Sequence, residues 1–285
     1  MKGIILAGGL GTRVYPNTKA LSKQILPVYD KPTIYYPLST LLKLGIKDIL
    51  IISNKINSFL DLLGDGRDLG VNISYMIQDE PRGIAEALII GENFIGNDKV
   101  VLALGDNIFT GIDYSFWPGA AIVGYKVSNP KDYGVVEFTS TSAGDNIVTG
   151  IEEKPENPKS DIAVTGLYFY DSTAPSRAKE LTPSARGELE ITDLNKSYLD
   201  TSDLSLSILS PEHAWFDTGD HDQMFEASMF VKSIQNRTNS MIGCIELESY
   251  RAGNITKDQL CRVIYNMPKS KYKENIIRSA QLPSL

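Results

Sequence analysis

Three glycines fall within four residues at Gly8, Gly9 and Gly11, directly after a short apolar run over 3–7, and Arg13 follows at once. A run that brief, bounded by glycine, predicts a buried parallel strand feeding a tight loop at the carboxyl edge of an open α/β sheet, the edge where ligands bind. Glycines there let the backbone approach a bound group and turn successive N–H groups toward one point, a concavity suited to phosphate oxygens. A bare glycine turn reads equally well as a strand exit with no ligand. Arg13, with Lys19 and Lys23 one loop further on, tips the reading toward phosphate, because Arg spreads charge over several oxygens and Lys supplies a compact point charge. Two familiar phosphate motifs are excluded: no GxxxxGK(S/T) stands near the first strand, and Gly9-Leu10-Gly11-Thr12-Arg13-Val14 lacks the third glycine of the dinucleotide fingerprint.

The first half repeats the strand and helix rhythm. Apolar, β-branched runs at 48–53, 72–77 and 100–104 alternate with helical patterns at 32–44, 55–63 and 83–94, which predicts right-handed βαβ units and a mainly parallel sheet. Pro32 suits the first turn of a helix and Gly45 its stop. Beyond 119, closely spaced strands are predicted at 120–127, 134–138, 146–152 and 162–170, then helices at 174–181, 188–200 and 220–236. The tail from about 240 predicts two more helices, 256–266 and 271–280.

Charge excludes one class of partner. Lys+Arg 28 against Asp+Glu 35 give −7, so no global field holds a polyanion such as nucleic acid. Cys244 and Cys261 stand outside any CxxC spacing, which argues against a zinc site or a disulfide framework and fits a reducing compartment. The apolar run at the N-terminus is too brief for a secretion signal or a membrane span, and a cytoplasmic location is expected.

Acidic residues supply the remaining chemistry. Leu104-Gly105-Asp106-Asn107 puts a carboxylate just past an apolar strand, a natural magnesium position, and Trp215-Phe216-Asp217-Thr218-Gly219 offers a second acid. Each also reads as a turn Asp when taken singly. His213 and His221 lack HExxH spacing and no further Cys or His completes a ligand set, nor is there a compelling Ser/His/Asp order, so chemistry without a side-chain nucleophile is expected. Glu152-Glu153-Lys154-Pro155 alternates faces at a strand end. Arg186-Gly187-Glu188-Leu189-Glu190 reads as the start of a helix with acids in its first turn.

These segments, with Ser22-Lys23-Gln24-Ile25-Leu26-Pro27-Val28-Tyr29-Asp30-Lys31-Pro32, Tyr133-Gly134-Val135-Val136-Glu137 and Val164-Thr165-Gly166-Leu167-Tyr168, occur in an order that resembles the sugar-1-phosphate nucleotidylyltransferases over nearly the whole chain. The uridylyl branch usually carries a KEMLP-type segment where this chain has SKQILPVYDKP followed by Tyr35-Tyr36-Pro37-Leu38, which favours the thymidylyl branch. The resemblance implies an α/β, Rossmann-like, mainly parallel mixed sheet flanked by helices, with a smaller β-rich sugar-binding part. It divides the chain into a catalytic core, 1–239, and a C-terminal helical appendage, 240–285, for subunit contact or regulation.

It further implies that an oxygen of glucose 1-phosphate attacks the α-phosphorus of dTTP, giving dTDP-glucose and pyrophosphate without a covalent enzyme intermediate. The catalytic set it implies is Arg13 and Lys23 on the phosphates with Asp106 and Asp217 holding Mg²⁺. Leu6, Gly8, Gly9, Gly11, Thr12, Gln24, Gln78 and Gly83 join Arg13, Lys23 and Asp106 around the nucleotide. Asn107, Gly134, Glu153, Val164 and Tyr168 are implied for the sugar, and Lys154 and Arg186 for its phosphate. A homotetramer, feedback by a dTDP-sugar and a place in dTDP-deoxysugar (rhamnose-type) biosynthesis belong to the same expectation. The alternatives are the same chemistry with UTP or another hexose 1-phosphate, and a non-catalytic regulatory subunit that binds nucleotide sugars. Two departures stand out: 110–119 is too short for the crossover helix usual there, and Glu86 stands where Gln is common, so altered base contacts are expected.

Overall fold

The computed structural model describes residues 1–112, 119–141 and 146–282. The first half runs β1 (Lys2–Leu6), the hairpin strands β2 (Pro27–Val28) and β3 (Lys31–Pro32), α1 (Tyr35–Lys43), β4 (Asp48–Ser53), α2 (Ile56–Leu63) and β5 (Asn72–Ile77). Next come α3 (Glu86–Ile90), α4 (Glu92–Ile95), β6 (Val100–Leu104) and β7 (Asn107–Phe109). The second half runs β8 (Ala120–Lys126), β9 (Gly134–Ser140), β10 (Asn146–Glu153), β11 (Ile162–Tyr170), α5 (Ala174–Lys179), α6 (Ile191–Leu199), β12 (Leu204–Ile208) and β13 (Trp215–Asp217). It closes with α7 (His221–Thr238), α8 (Ile245–Arg251), α9 (Lys257–Asn266) and α10 (Lys271–Ser279).

Nine strands form one mixed sheet in the order β5-β4-β1-β6-β11-β8-β12-β10-β9. The strands β5-β4-β1-β6 are parallel, joined by helical crossovers. β11 then lies antiparallel between β6 and β8, β12 returns parallel to β8, and β10 and β9 complete the far side antiparallel. The chain winds outward from β1 through β4 to β5, then returns to lay β6 on the other side of β1, pairing Leu6 with Leu104. That reversal is the switch point at which an open α/β sheet leaves a crevice beyond its strand ends. The glycine turn leaves β1 and Gly105-Asp106 leaves β6 at this one edge.

Both faces of the central strands are covered, so their sequences read as unbroken apolar runs. Ile4, Leu50 and Leu102 pack on one side with Leu88, Leu194 and Tyr198, while their neighbours Ile5, Ile51 and Val101 pack on the other with Leu38, Leu41 and Phe59. Every residue of β11 is buried, as its place in the middle of the sheet requires.

Several elements differ from the sequence reading. Pro32 lies in the β2–β3 hairpin, not in a helix; a proline is tolerated on an edge strand because no ladder N–H is demanded of it, and α1 begins only at Tyr35. The helix expected over 83–94 is split at Gly91, which packs so closely on β1 that a Cβ there would lie 2.7 Å from Ile4 Cδ1. α6 starts at Ile191 with Glu190 as its N-cap residue, so Glu188 and Glu190 precede the helix instead of occupying its first turn. The strands β2, β3, β7, β12 and β13 are additional. The tail holds a third helix, α8, whose first five residues are all buried and show no amphipathic period. Its Ile245 joins the core beside α1, while Met241, Leu247, Leu260, Ile264 and Ile276 form a cluster of their own. The 110–119 connection falls largely outside the described residues. Among the described residues no helix is long and apolar enough to cross a membrane, and Cys244 and Cys261 are free thiols.

Candidate active site

The glycine turn takes its shape from what packs against it. Gly9 has φ 93° and Gly11 φ 60°, left-handed conformations that favour glycine. A Cβ on Gly8 would overlap Gln78 Oε1. Gly11 opens the single turn Thr12–Val14, which buries Val14 and projects Arg13, and the Thr18 hydroxyl donates to Gly11 O at 2.8 Å to fix the arch. Arg13 reaches the turn after β13, where a Cβ on Gly219 would stand 3.1 Å from Arg13 Nη1. Lys23 sits on the turn Lys23–Ile25 and forms an ion pair with Asp106. Lys19, by contrast, is exposed on its loop.

A ladder of two short strands brings the acids together. β7 and β13 pair antiparallel with Asn107 opposite Asp217, and Thr218 donates its N–H and its hydroxyl to Asp106 O at 3.0 and 2.7 Å. Burial opposes the Asp106 charge, but Lys23 and the Asn107 amide outweigh it and hold the carboxyl below the ordinary carboxylate range. Asp217, half-buried like Asp106, feels that carboxylate's charge. Burial first, and the Asp106 charge second, push it up to about 6 against the partial relief of Lys23 and Arg13. Two neighbouring carboxylates whose mutual repulsion is only partly offset form a donor set that fits a hard divalent cation, which takes one or two protein carboxylates and completes its shell with water and phosphate oxygens.

Two clefts meet here. The smaller, about 220 Å³, is lined by Leu6, Gly8, Gly9, Gln24, Gln78, Gly83 and Asp106 of the expected nucleotide set, together with Leu104 and Pro81. The larger, about 490 Å³, is lined by Gly134, Glu153, Lys154, Val164, Tyr168 and Arg186 of the expected sugar set, together with Arg13 and Asp217. Ile84 and Glu188 line both. Arg186 is held by Glu190 at 2.8 Å. Arg13 and Lys154 enter no ion pair among the described residues, and both line the larger cleft. Burial keeps the Tyr168 phenol protonated well beyond its ordinary range, so it acts there as a neutral hydroxyl.

Some expected residues lie off the walls. Asn107 is buried behind them: its Oδ1 accepts from Trp215 Nε1 at 2.6 Å and Gly166 N at 3.1 Å, and its Nδ2 donates to Asp106 Oδ1 at 3.0 Å. It braces the acid instead of forming part of the sugar wall. Gly11, Thr12 and Lys23 line neither cleft and belong to the arch and the Asp106 pair. Glu86 also lies off the wall, buried behind Gln78. The sequence reading missed Thr192, whose hydroxyl donates to Glu153 Oε2 at 2.6 Å, and Tyr133, edge-on to Trp215 at 5.2 Å. Tyr133 stood inside a quoted segment, but Thr192 at the start of α6 carried no signal beyond its position after Arg186.

A family model described as nucleotidyl transferase matches residues 2–234. The chain is 51% identical to a glucose-1-phosphate thymidylyltransferase of Neisseria meningitidis, over 98% of this chain and 99% of that protein. It is 49% identical to one of Mycolicibacterium smegmatis, over 98% of each. Among solved structures it resembles a candidate glucose-1-phosphate thymidylyltransferase of Bacillus anthracis in complex with a sucrose. That likeness has a TM-score of 0.72 and 42% identity and covers 81% of this chain and 94% of that one. A UDP-glucose pyrophosphorylase at 23% identity and TM-score 0.73, covering 81% of this chain and 98% of that one, shares the fold.

Proposed function

The chain belongs to the nucleotidyl transferase family, and from that premise we propose that it moves a thymidylyl group from dTTP to glucose 1-phosphate in one in-line displacement, releasing pyrophosphate. The observation that carries this reading is the place of Asp106 and Asp217 where the two clefts meet, one cleft over the glycine turn and the other holding two cations free of ion pairs among the described residues. The relatives' shared name, over nearly the full chain, supports the choice of dTTP and glucose 1-phosphate.

Gln24 and Gln78 meet the base in the smaller cleft, and the glycine turn receives the phosphates through its N–H groups. Arg13 draws charge away on the leaving side, while Lys154 orients the sugar phosphate in the larger cleft. Asp106 and Asp217 would hold Mg²⁺, which when bound would neutralise charge between the two anionic partners. No side chain need become covalently attached, since alignment and charge neutralisation make up most of the catalysis of such transfers. The product enters dTDP-deoxysugar formation of the rhamnose type. The tail 240–285 serves subunit contact in a homotetramer, and Phe225 and Met229, exposed four residues apart on α7 of the core, offer an apolar patch for such contact. Pyrophosphate release with glucose 1-phosphate and dTTP, against UTP, tests the activity: a strong preference for dTTP is expected, and preference for UTP overturns the base assignment.

A further inference from the structure

We propose that Glu86 is a specificity-determining positioning residue that fixes the amide of Gln78 with its oxygen toward the smaller cleft, so that this cleft reads a ring N–H and excludes a ring nitrogen that is itself an acceptor. The inference rests on the reading of the smaller cleft as the base site.

Glu86 and Gln78 are both buried, at 6% and 4% exposure. Gln78 Nε2 donates to Glu86 Oε2 at 2.8 Å, and Arg82 Nε donates to the other oxygen, Oε1, at 2.8 Å, with Arg82 Nη2 2.7 Å from it. An amide offers a donor end and an acceptor end of nearly equal shape, so its neighbours decide which way it faces. An ionised carboxylate accepts only, and one already paired with Arg82 takes only the NH₂ end of Gln78. The oxygen is thereby turned toward Gly8, where a Cβ would overlap it, and both Gly8 and Gln78 line the smaller cleft. The second amide is fixed as well: Ser22 Oγ donates to Gln24 Oε1 at 2.6 Å, and Gln24 Nε2 is turned toward Gly8 O, 3.4 Å away.

A carbonyl oxygen in that place accepts from the imide N–H of thymine or uracil. The corresponding nitrogen of cytosine is an acceptor, and placing it against a fixed carbonyl leaves two lone pairs opposed. Glutamine at position 86 would reverse the arrangement. Its own oxygen would face the Arg82 guanidinium, its NH₂ would face Gln78, and Gln78 would turn its NH₂ outward.

The test compares pyrophosphate release from dTTP and dCTP with glucose 1-phosphate in the wild type, Glu86→Gln, Arg82→Ala/Glu86→Gln and Gln78→Ala, each checked by thermal melting. The expected result is a loss of about tenfold or more in the dTTP to dCTP ratio of kcat/KM for Glu86→Gln, with KM for glucose 1-phosphate unchanged. Partial recovery of the ratio is expected in the double variant, where the introduced amide no longer faces a guanidinium and is free to turn. A ratio kept within about twofold in folded Glu86→Gln, alongside a raised dTTP KM in Gln78→Ala, overturns the amide lock alone. An unchanged dTTP KM in Gln78→Ala overturns both the lock and the base site on which it rests. Should Glu86→Gln fail to fold, the wild type decides by NMR of its glutamine side chains. Slow exchange of the Gln78 NH₂ protons, unaltered by dTTP, supports the lock, and fast exchange overturns it.

Discussion

The smaller cleft is walled mostly by backbone, by Leu6, Pro81 and Leu104, and by two amides, with Asp106 and Glu188 as its charged residues, whereas the larger cleft is walled by more charge, with Arg13, Lys154, Arg186, Glu153, Glu190 and the shared Glu188 around it. The first suits a flat heterocycle recognised by shape and hydrogen bonds, and the second an anionic, hydroxyl-rich partner. Their construction differs too. The small cleft draws on loops that leave the parallel strands β1, β5 and β6, while the large one joins the glycine turn to β9, β10, β11 and the start of α6. The acids between them depend on strands more than a hundred residues apart. Recognition and charge control are therefore separable at residues that line one cleft and serve one partner, such as Gly8 and Lys154, and substitutions there should leave the other partner's KM alone.

The largest effect is expected where the clefts meet. Asp217→Asn or Asp106→Asn should lower kcat by on the order of 10²–10³ in saturating substrates, with the fold intact by circular dichroism; turnover near wild type would remove both from the metal role. Gly8→Ala comes next. Its methyl would drive Gln78 from the cleft, and overpacking of about 1–3 kcal/mol corresponds to roughly fivefold to 150-fold in KM for dTTP. Steady-state kinetics should show KM for glucose 1-phosphate unchanged, and a rise in both would break the separation. Lys154→Ala should do the converse, raising KM for glucose 1-phosphate about tenfold and leaving dTTP untouched.

The smallest effect is on stability and follows from Asp217. Its proton is held more tightly in the folded chain than in the unfolded one, since its carboxyl is pushed up to about 6. Without divalent cations this contribution is complete below the ordinary carboxylate range and is lost as the pH rises through about 6. Thermal melting in chelator should show Tm falling across that window, by about 2–4 °C, and Asp217→Asn should flatten the change. A pH dependence identical in the variant would dissociate it from Asp217.

Much of this contrast was legible in the sequence because it rests on local signals. The run over 3–7 with its glycines fixed β1 and the turn, and the β-branched runs fixed β4, β5 and β6. The quoted segments around 134, 153–154, 164–168 and 186 come together on one cleft. The β7–β13 ladder was not legible: each strand is three residues long, and their pairing depends on packing across the whole chain and not on local propensity. Pro32 misled because a proline serves a first helical turn and an edge hairpin equally well. The sequence reading expects Glu86 to alter contacts to the base; in the fold it is buried behind Gln78 and accepts a hydrogen bond from its amide, a relation that no spacing encodes.

The most direct measurement is a crystal structure with dTDP-glucose and a divalent cation bound. The account predicts the base beneath Gln78 in the smaller cleft, the sugar between Glu153 and Lys154 in the larger, and the cation on Asp106 and Asp217. A pyrophosphate bridge lodged away from the junction of the clefts, or a cation touching neither aspartate, would contradict it.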